Sequence, residues 1–219
     1  SHRFSSLIHS GIFNSRTGIN QTNQFSVGED ITRTIDPANG SIQKLYAEDT
    51  NLIIFQENKV SKSLIDKDAI YSAEGNASVT SRNLVIGQNV AFAGEYGIGT
   101  DPESFAVNGY RKYFTDRDQN VVCRLSMDGI TVISSYGMTD FFRDTLASAA
   151  PNIRGGWDAH NKQYVVSIKN NSNDIYNTLS FDETSKGWTS FFDYNPNQMF
   201  SLNNNYFTAF EGKIYKHYE

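Results

Sequence analysis

The chain holds 219 residues, with 19 Lys and Arg against 24 Asp and Glu, a formal charge of −5. That mild acidity argues against a surface built to grip phosphate backbones, and a single cysteine, Cys123, excludes an intrachain disulfide or a cysteine-based zinc site. No stretch approaches the ~20 apolar residues of a membrane-spanning helix, and residues 1–10 lack the basic start and apolar run of a signal peptide.

Twelve Tyr, fifteen Phe and two Trp recur in short alternating runs separated by Asn, Asp and Gly, the pattern of many short strands joined by tight turns. The first forty residues are polar and carry weak order signals, so residues 1–40 read as an extended N-terminal connector. The turn at Asp36-Pro37-Ala38-Asn39-Gly40 marks the start of a compact region over 41–219. Residues 51–56 and 59–65 meet at Glu57-Asn58, a polar pair that suits a two-residue hairpin loop. Strands follow at 111–115, 120–125 and 130–134, the last entered through Asp128-Gly129, a strong hairpin signal.

One short helix is predicted over 139–147, with Thr139 as its cap, Asp140 at the positive end of the dipole, and Phe141, Phe142, Thr145 and Leu146 on roughly one face. Beyond Pro151, strands are predicted at 163–168, 176–181, 187–192, 198–202, 206–210 and 213–217. Meanders therefore recur at intervals close to a propeller blade, roughly 40 residues. The expected fold is all-β, a propeller-like array of antiparallel meander blades. The bare ends are read as those of a piece of a longer chain.

Several fragments invite a chemical reading. Asp116, Asp118 and Asn120 fit the opening of an EF-hand loop, but Val121 stands where Gly is required and Met127 where the bidentate Glu belongs. These residues read as a hairpin loop. The run Gly94-Glu95-Tyr96-Gly97-Ile98-Gly99 is followed by Asp101, Pro102 and Glu103 in place of a phosphate-binding helix start, and reads as a tight bend. Ser180, Asp182, Gly187 and Trp188 approach the Asp-box hairpin of sialidase-type propellers, although Gly follows Asp by five residues where that pattern has two.

Asp101 with Glu103, and Asp140 with Asp144, are the neighbouring carboxylates that could span the separation of about 5–9.5 Å used in glycoside hydrolysis. The second pair reads as a solvated helix face with Arg143. Cys123 alternates with Val121 and Leu125 at a core position, and nothing in the sequence fixes His160 or His217 near it. Tyr194, Tyr206, Phe207 and Tyr218 could stack on sugars, or pack. No catalytic, cofactor-binding or metal-binding residues are assigned, and no enzymatic activity is expected.

A wider pattern joins Ala93 to Phe105, Tyr113-Phe114-Thr115-Asp116, Val122-Cys123-Arg124-Leu125-Ser126, Asp140-Phe141-Phe142-Arg143-Asp144, Thr178-Leu179-Ser180-Phe181-Asp182, Gly187-Trp188-Thr189-Ser190-Phe191 and Gly212-Lys213-Ile214-Tyr215-Lys216-His217. In style and order these segments resemble the large, muzzle-type tail proteins of crAss-like podophages, over residues 36–219. The resemblance implies a virion structural protein with propeller-like β-structure at the distal end of the tail. It further implies partners that are copies of itself and other tail proteins, and a role in closing the tail channel, retaining DNA and contacting the host. It brings no active-site residues, no cofactor and no sequence-specific nucleic-acid contact. The other readings are a carbohydrate- or receptor-binding propeller module and a glycoside hydrolase or sialidase-like propeller.

Overall fold

The computed structural model describes residues 3–11, 13–14, 17–28, 31–65 and 85–218; residues 66–84, inside the expected 41–219 region, lie outside the described residues. The described chain is mostly β, arranged as several antiparallel sheets with one α-helix. Strands β1 (Ser6–Ile8) and β4 (Thr32–Thr34) pair with each other, and β2 (Phe13–Asn14) pairs with β3 (Ile19–Asn20). The segment before Asp36 thus carries two small antiparallel pairs. Leu7 and Ile35 from it are buried with Ile54 and Ile86.

Four meanders follow. The first sheet comprises β5 (Ile42–Glu48), β6 (Asn51–Gln56), β7 (Val60–Leu64) and β8 (Asn89–Ala91). The second comprises β9 (Ala106–Asn108), β10 (Arg111–Asp116), β11 (Val121–Ser126) and β12 (Gly129–Val132). The third comprises β13 (Arg154–Asp158), β14 (Gln163–Lys169), β15 (Tyr176–Asp182) and β16 (Gly187–Phe192). The fourth has three strands, β17 (Gln198–Leu202), β18 (Asn205–Phe210) and β19 (Lys213–Lys216). In each of these four sheets every strand pairs antiparallel with the next in sequence, as short loops require.

The loops show why these residues turn. Asn203 and Asn204 both take left-handed φ values, 49° and 61°, as do Glu211 and Gly212, so both hairpins of the fourth sheet close through two-residue turns matched to strand twist. The β11–β12 loop is Met127-Asp128, and Gly129 opens β12 at φ 107°. The expected Glu57-Asn58 loop closes with the Gln56 N–H donating to the Lys59 carbonyl at 2.8 Å.

Central strands of the first three sheets are apolar on both faces because each of those sheets is covered on both sides. Ile53 and Phe55 face a core shared with Ile98, Phe114, Cys123 and Leu125 of the second sheet, while Ile54 between them faces Leu7 and Ile35. Tyr113, next to Phe114, points the other way, into the core that holds Tyr164, Val166, Leu179 and Phe181 of the third sheet. Val165, between Tyr164 and Val166, joins Met199 and Tyr206 of the fourth. The sheets therefore follow one another as a series of layers with a core in each gap.

The helix α1 (Thr139–Ala147) closes the gap between the second and third sheets, burying Phe142 and Leu146 one turn apart. Its N-cap position is Met138, one residue earlier than expected; Thr139 is the first helical residue and no side chain caps the end. Asp140 in the first turn still opposes the positive end of the dipole. No helix among the described residues is long and apolar enough to cross a membrane.

Two glycines set the spacing of the last three sheets. A Cβ on Gly155 would lie 2.0 Å from the Ser104 carbonyl oxygen, and one on Gly156 would lie 2.5 Å from the Met199 Cβ. Neither glycine has a left-handed φ, so the requirement is space. Gly155→Ala and Gly156→Ala are each expected to destabilise the fold by about 1–3 kcal/mol through overpacking, Gly155 more because its obstacle is backbone. Urea unfolding midpoints measure this, and an unchanged midpoint for Gly155→Ala would show that the second and third sheets separate freely.

Candidate functional site

The leading strands of all four large sheets, together with the chain entering them, approach one cavity of about 500 Å³. Gln43 and Lys44 come from β5, Pro102, Glu103 and Phe105 from the turn before β9, Arg154 and Gly155 from β13, and Asn197, Gln198 and Met199 from the entry to β17. Glu103 pairs with Arg154 across the second and third sheets. The Lys44 ammonium lies over the Phe105 ring, 5.2 Å from its centre, and Phe105 in turn packs against Phe55 at 5.3 Å. The walls are otherwise amide and methionine side chains. With Lys44 and Arg154 opposed by Glu103 alone, the pocket carries one net positive charge. Its one carboxylate is engaged by a guanidinium, and its polar groups are hydrogen-bonding rather than nucleophilic. The arrangement suits holding polar matter or a neighbouring chain at the meeting point of the sheets.

Most fragments singled out in the sequence serve the joints between sheets. Asp116 is buried, and its carboxylate accepts from the Gly97 N–H at 3.0 Å and from the Gln119 N–H at 3.0 Å. The glycine-rich run and the Asp-rich hairpin thus meet each other. A Cβ on Gly97 would fall 2.1 Å from the Glu57 carbonyl oxygen, so this glycine allows the run to lie directly against the β6–β7 hairpin. Gly94 and Gly99 supply the left-handed φ values of the bend, 92° and 58°. Asp118 is exposed, and Asn120 takes φ 56° at the end of the loop.

Asp101 is buried too. It accepts from the Asn152 N–H at 2.8 Å and the Ile153 N–H at 3.3 Å, with the Arg117 Nε 3.3 Å from its other oxygen. It therefore fastens the second sheet to the chain entering the third, while Glu103 turns into the cavity. Asp140 and Asp144 are exposed and both engaged by Arg143, at 2.7 and 2.8 Å. Asp182 accepts from the Thr184 and Ser185 N–H groups of its own turn, which holds its carboxyl below the usual range. Trp188 donates from Nε1 to the Ile133 carbonyl at 3.1 Å and packs on Phe142 and Phe181.

Cys123 is fully buried between the first and second sheets, and burial pushes its thiol well up. His160 stacks on Tyr218 at 4.7 Å, and His217 bonds Thr208 at 2.8 Å; both belong to the other end of the layer series. Among the four aromatics considered for stacking, Tyr206 is fully buried, Phe207 is stacked on Phe200 at 5.4 Å, and Tyr218 is held on His160. Tyr194 lines a cavity. Among the described residues, no group of three or more His, Cys, Asp or Glu is placed to hold a metal ion.

No sequence pattern pointed to the cavity at the leading strands. Its lining residues lie between positions 43 and 199, on strands whose joint placement no local pattern reveals. No family model matches the chain, and no curated protein matches it.

Burial raises the Asp116 carboxyl, against the backbone donors that lower it. A carboxyl whose folded value lies above the unfolded one, about 3.9, favours folding in acid and loses that contribution as pH rises through the raised value. Asp116→Asn removes this dependence. The stability of Asp116→Asn relative to the parent is therefore expected to improve between about pH 3 and about pH 7, on either side of the ordinary carboxyl range. Urea midpoints at the two pH values test it; an equal difference at both would show that the charge carries no burial cost.

Proposed function

We propose that the four large sheets are blades of a propeller-like array and that the chain is a structural, interaction-bearing domain of a phage tail, placed in a distal, muzzle-type assembly. The observation that carries this reading is the approach of all four leading strands to one cavity, with backbone packed against backbone at Gly155 and Gly97. Such packing makes a rigid slab with loops on two faces, suited to holding a fixed place among identical neighbours. The sequence resemblance supplies the viral setting. Two further features support a supporting role over a chemical one: the buried acids Asp101 and Asp116 are spent on backbone N–H groups, and the cavity carboxylate Glu103 is paired with Arg154.

In this reading the partners are copies of the same chain and other tail proteins, and the location is the virion. The domain helps close the tail channel and retain DNA without reading its sequence, in keeping with a chain of net charge −5, which phosphate backbones repel. Gold-labelled antibody raised against the chain, applied to purified particles from a culture that carries its gene, is expected to mark the distal end of the tail in negative-stain electron micrographs. Particles that contain DNA and carry no label would overturn the proposal.

A further inference from the structure

A second cavity, of about 430 Å³, lies between the loop 193–196 and the end of the fourth sheet. Its volume falls within the ordinary range for small-ligand pockets, about 300–1,000 Å³. Two aromatic rings form an open wall. Thr208 and Phe210 alternate onto one face of β18, and Tyr215 is the cross-strand partner of Thr208, so all three project from that face. Phe210 is 38% and Tyr215 46% exposed, and among the described residues neither ring packs on another.

The floor is fixed. Tyr194 lies against Phe192 with ring centres 5.0 Å apart, meets His217 at 4.8 Å, and its hydroxyl is 3.3 Å from that of Tyr206. His217 is held in turn by its bond to Thr208. Asp193, Asn195 and Lys216 complete the lining around this apolar wall. Among the described residues, neither Asp193 nor Asn195 spends its side chain on a hydrogen bond within the chain.

We propose that this groove binds a pyranose ring of a glycan, the apolar C–H face of the sugar lying on Tyr215 and Phe210 and its hydroxyls reaching Asp193 and Asn195. A pyranose combines one apolar face with adjacent hydroxyls that donate hydrogen bonds, and the groove offers the complement: exposed ring faces beside a carboxylate and an amide oxygen. A proline-rich peptide also lies down on aromatic grooves, but its prolines present carbonyl oxygens and no donor, so Asp193 would face lone pairs and its desolvation would go unrepaid. The inference stands on the groove alone and is independent of any place in a tail.

The test is saturation-transfer NMR on the purified chain with millimolar methyl α-D-glucopyranoside, methyl β-D-galactopyranoside and N-acetyl-D-glucosamine, and with deca-proline in parallel. At least one sugar is expected to show transfer to its ring C–H protons. Tyr215→Ala and Asp193→Ala are each expected to weaken binding roughly tenfold, as loss of one good contact does. Phe191→Ala, which removes an exposed ring outside the groove, leaves it unchanged. Asp193 is exposed on a loop, so its variant keeps the test sound even if Tyr215→Ala fails to fold. Transfer from none of the sugars, transfer undiminished in the folded groove variants, or binding of deca-proline in place of sugar would each overturn the proposal.

Discussion

The backbone of β13 lies so close to its neighbours that no side chain fits at two successive positions, and much of the architecture follows from that contact. Gly155 lies against the Ser104 carbonyl and Gly156 against Met199. The same Ser104 carbonyl accepts the Tyr164 hydroxyl at 2.7 Å, in a fully buried setting that raises the phenol's pKa and keeps it a donor. Asp101, three residues before Ser104, takes the N–H groups of Asn152 and Ile153 as they lead into β13. Gly155, the Tyr164 hydroxyl and the Asp101 carboxylate thus set the distance between the second and third sheets, each against backbone atoms of the facing side. A joint built that way has little slack: moving the sheets apart strands buried donors and acceptors, which costs about 1–3 kcal/mol for each group left unpaired.

Charged side chains finish the joints that the backbone begins. Lys112, buried on β10, reaches Glu48 at the end of β5 and ties the first sheet to the second. Glu183, in the β15–β16 turn, accepts from the Tyr113 hydroxyl at 2.8 Å and from Arg124 at 2.7 Å, tying the third sheet to the second. Such pairs add little net stability, because each ion gives up water to form them. Removing one partner nevertheless leaves an uncompensated charge in a dry gap, which is strongly destabilising. The pairs therefore act less as glue than as a penalty on any arrangement in which the sheets are shifted.

The strands that the sequence makes plain are the middle and outer ones. β10, β11, β14, β15 and β16 are long, rich in β-branched and aromatic residues, and their joining turns take left-handed φ at Asn120, Asp174 and Lys186. Their alternation is readable because it reflects burial on two faces. Three of the four leading strands pass unread; the fourth, β17, is read at 198–202. β9 is three residues long, β13 begins Arg-Gly-Gly and looks like a break, and β5 mixes Gln, Lys and Glu among its apolar residues. Their composition answers to crowding and to a polar cavity, not to the pleated core that strand propensity measures. Gly97 and Gly155 illustrate the limit: a glycine required for left-handed φ announces itself in a turn, whereas one required for space depends on a partner some forty to fifty residues away.

The same reasoning explains why the aromatic groove was only half visible. Of the four aromatics that sequence alone nominated for stacking, Tyr206 is fully buried and Phe207 is taken up by stacking on Phe200, since an exposed ring and a buried ring look alike in a short alternating run. Tyr215 and Phe210 stay exposed because β19 is an edge: the fourth sheet has three strands, and no further strand among the described residues covers its last one. Lys213 and Lys216 bracket that edge, a placement of charge that discourages another strand from adding to it. An edge guarded in this way can leave aromatic surface uncovered without inviting aggregation. The groove floor, meanwhile, belongs to the core between the third and fourth sheets: Tyr194 is held by Phe192, Tyr206 and His217, and its hydroxyl is kept protonated by burial. A ligand entering the groove therefore has few side chains to order. Preorganisation of this kind lowers the entropic cost of binding, and the packing of Tyr194 on Phe192 and His217, with His217 bonded to Thr208, supplies it.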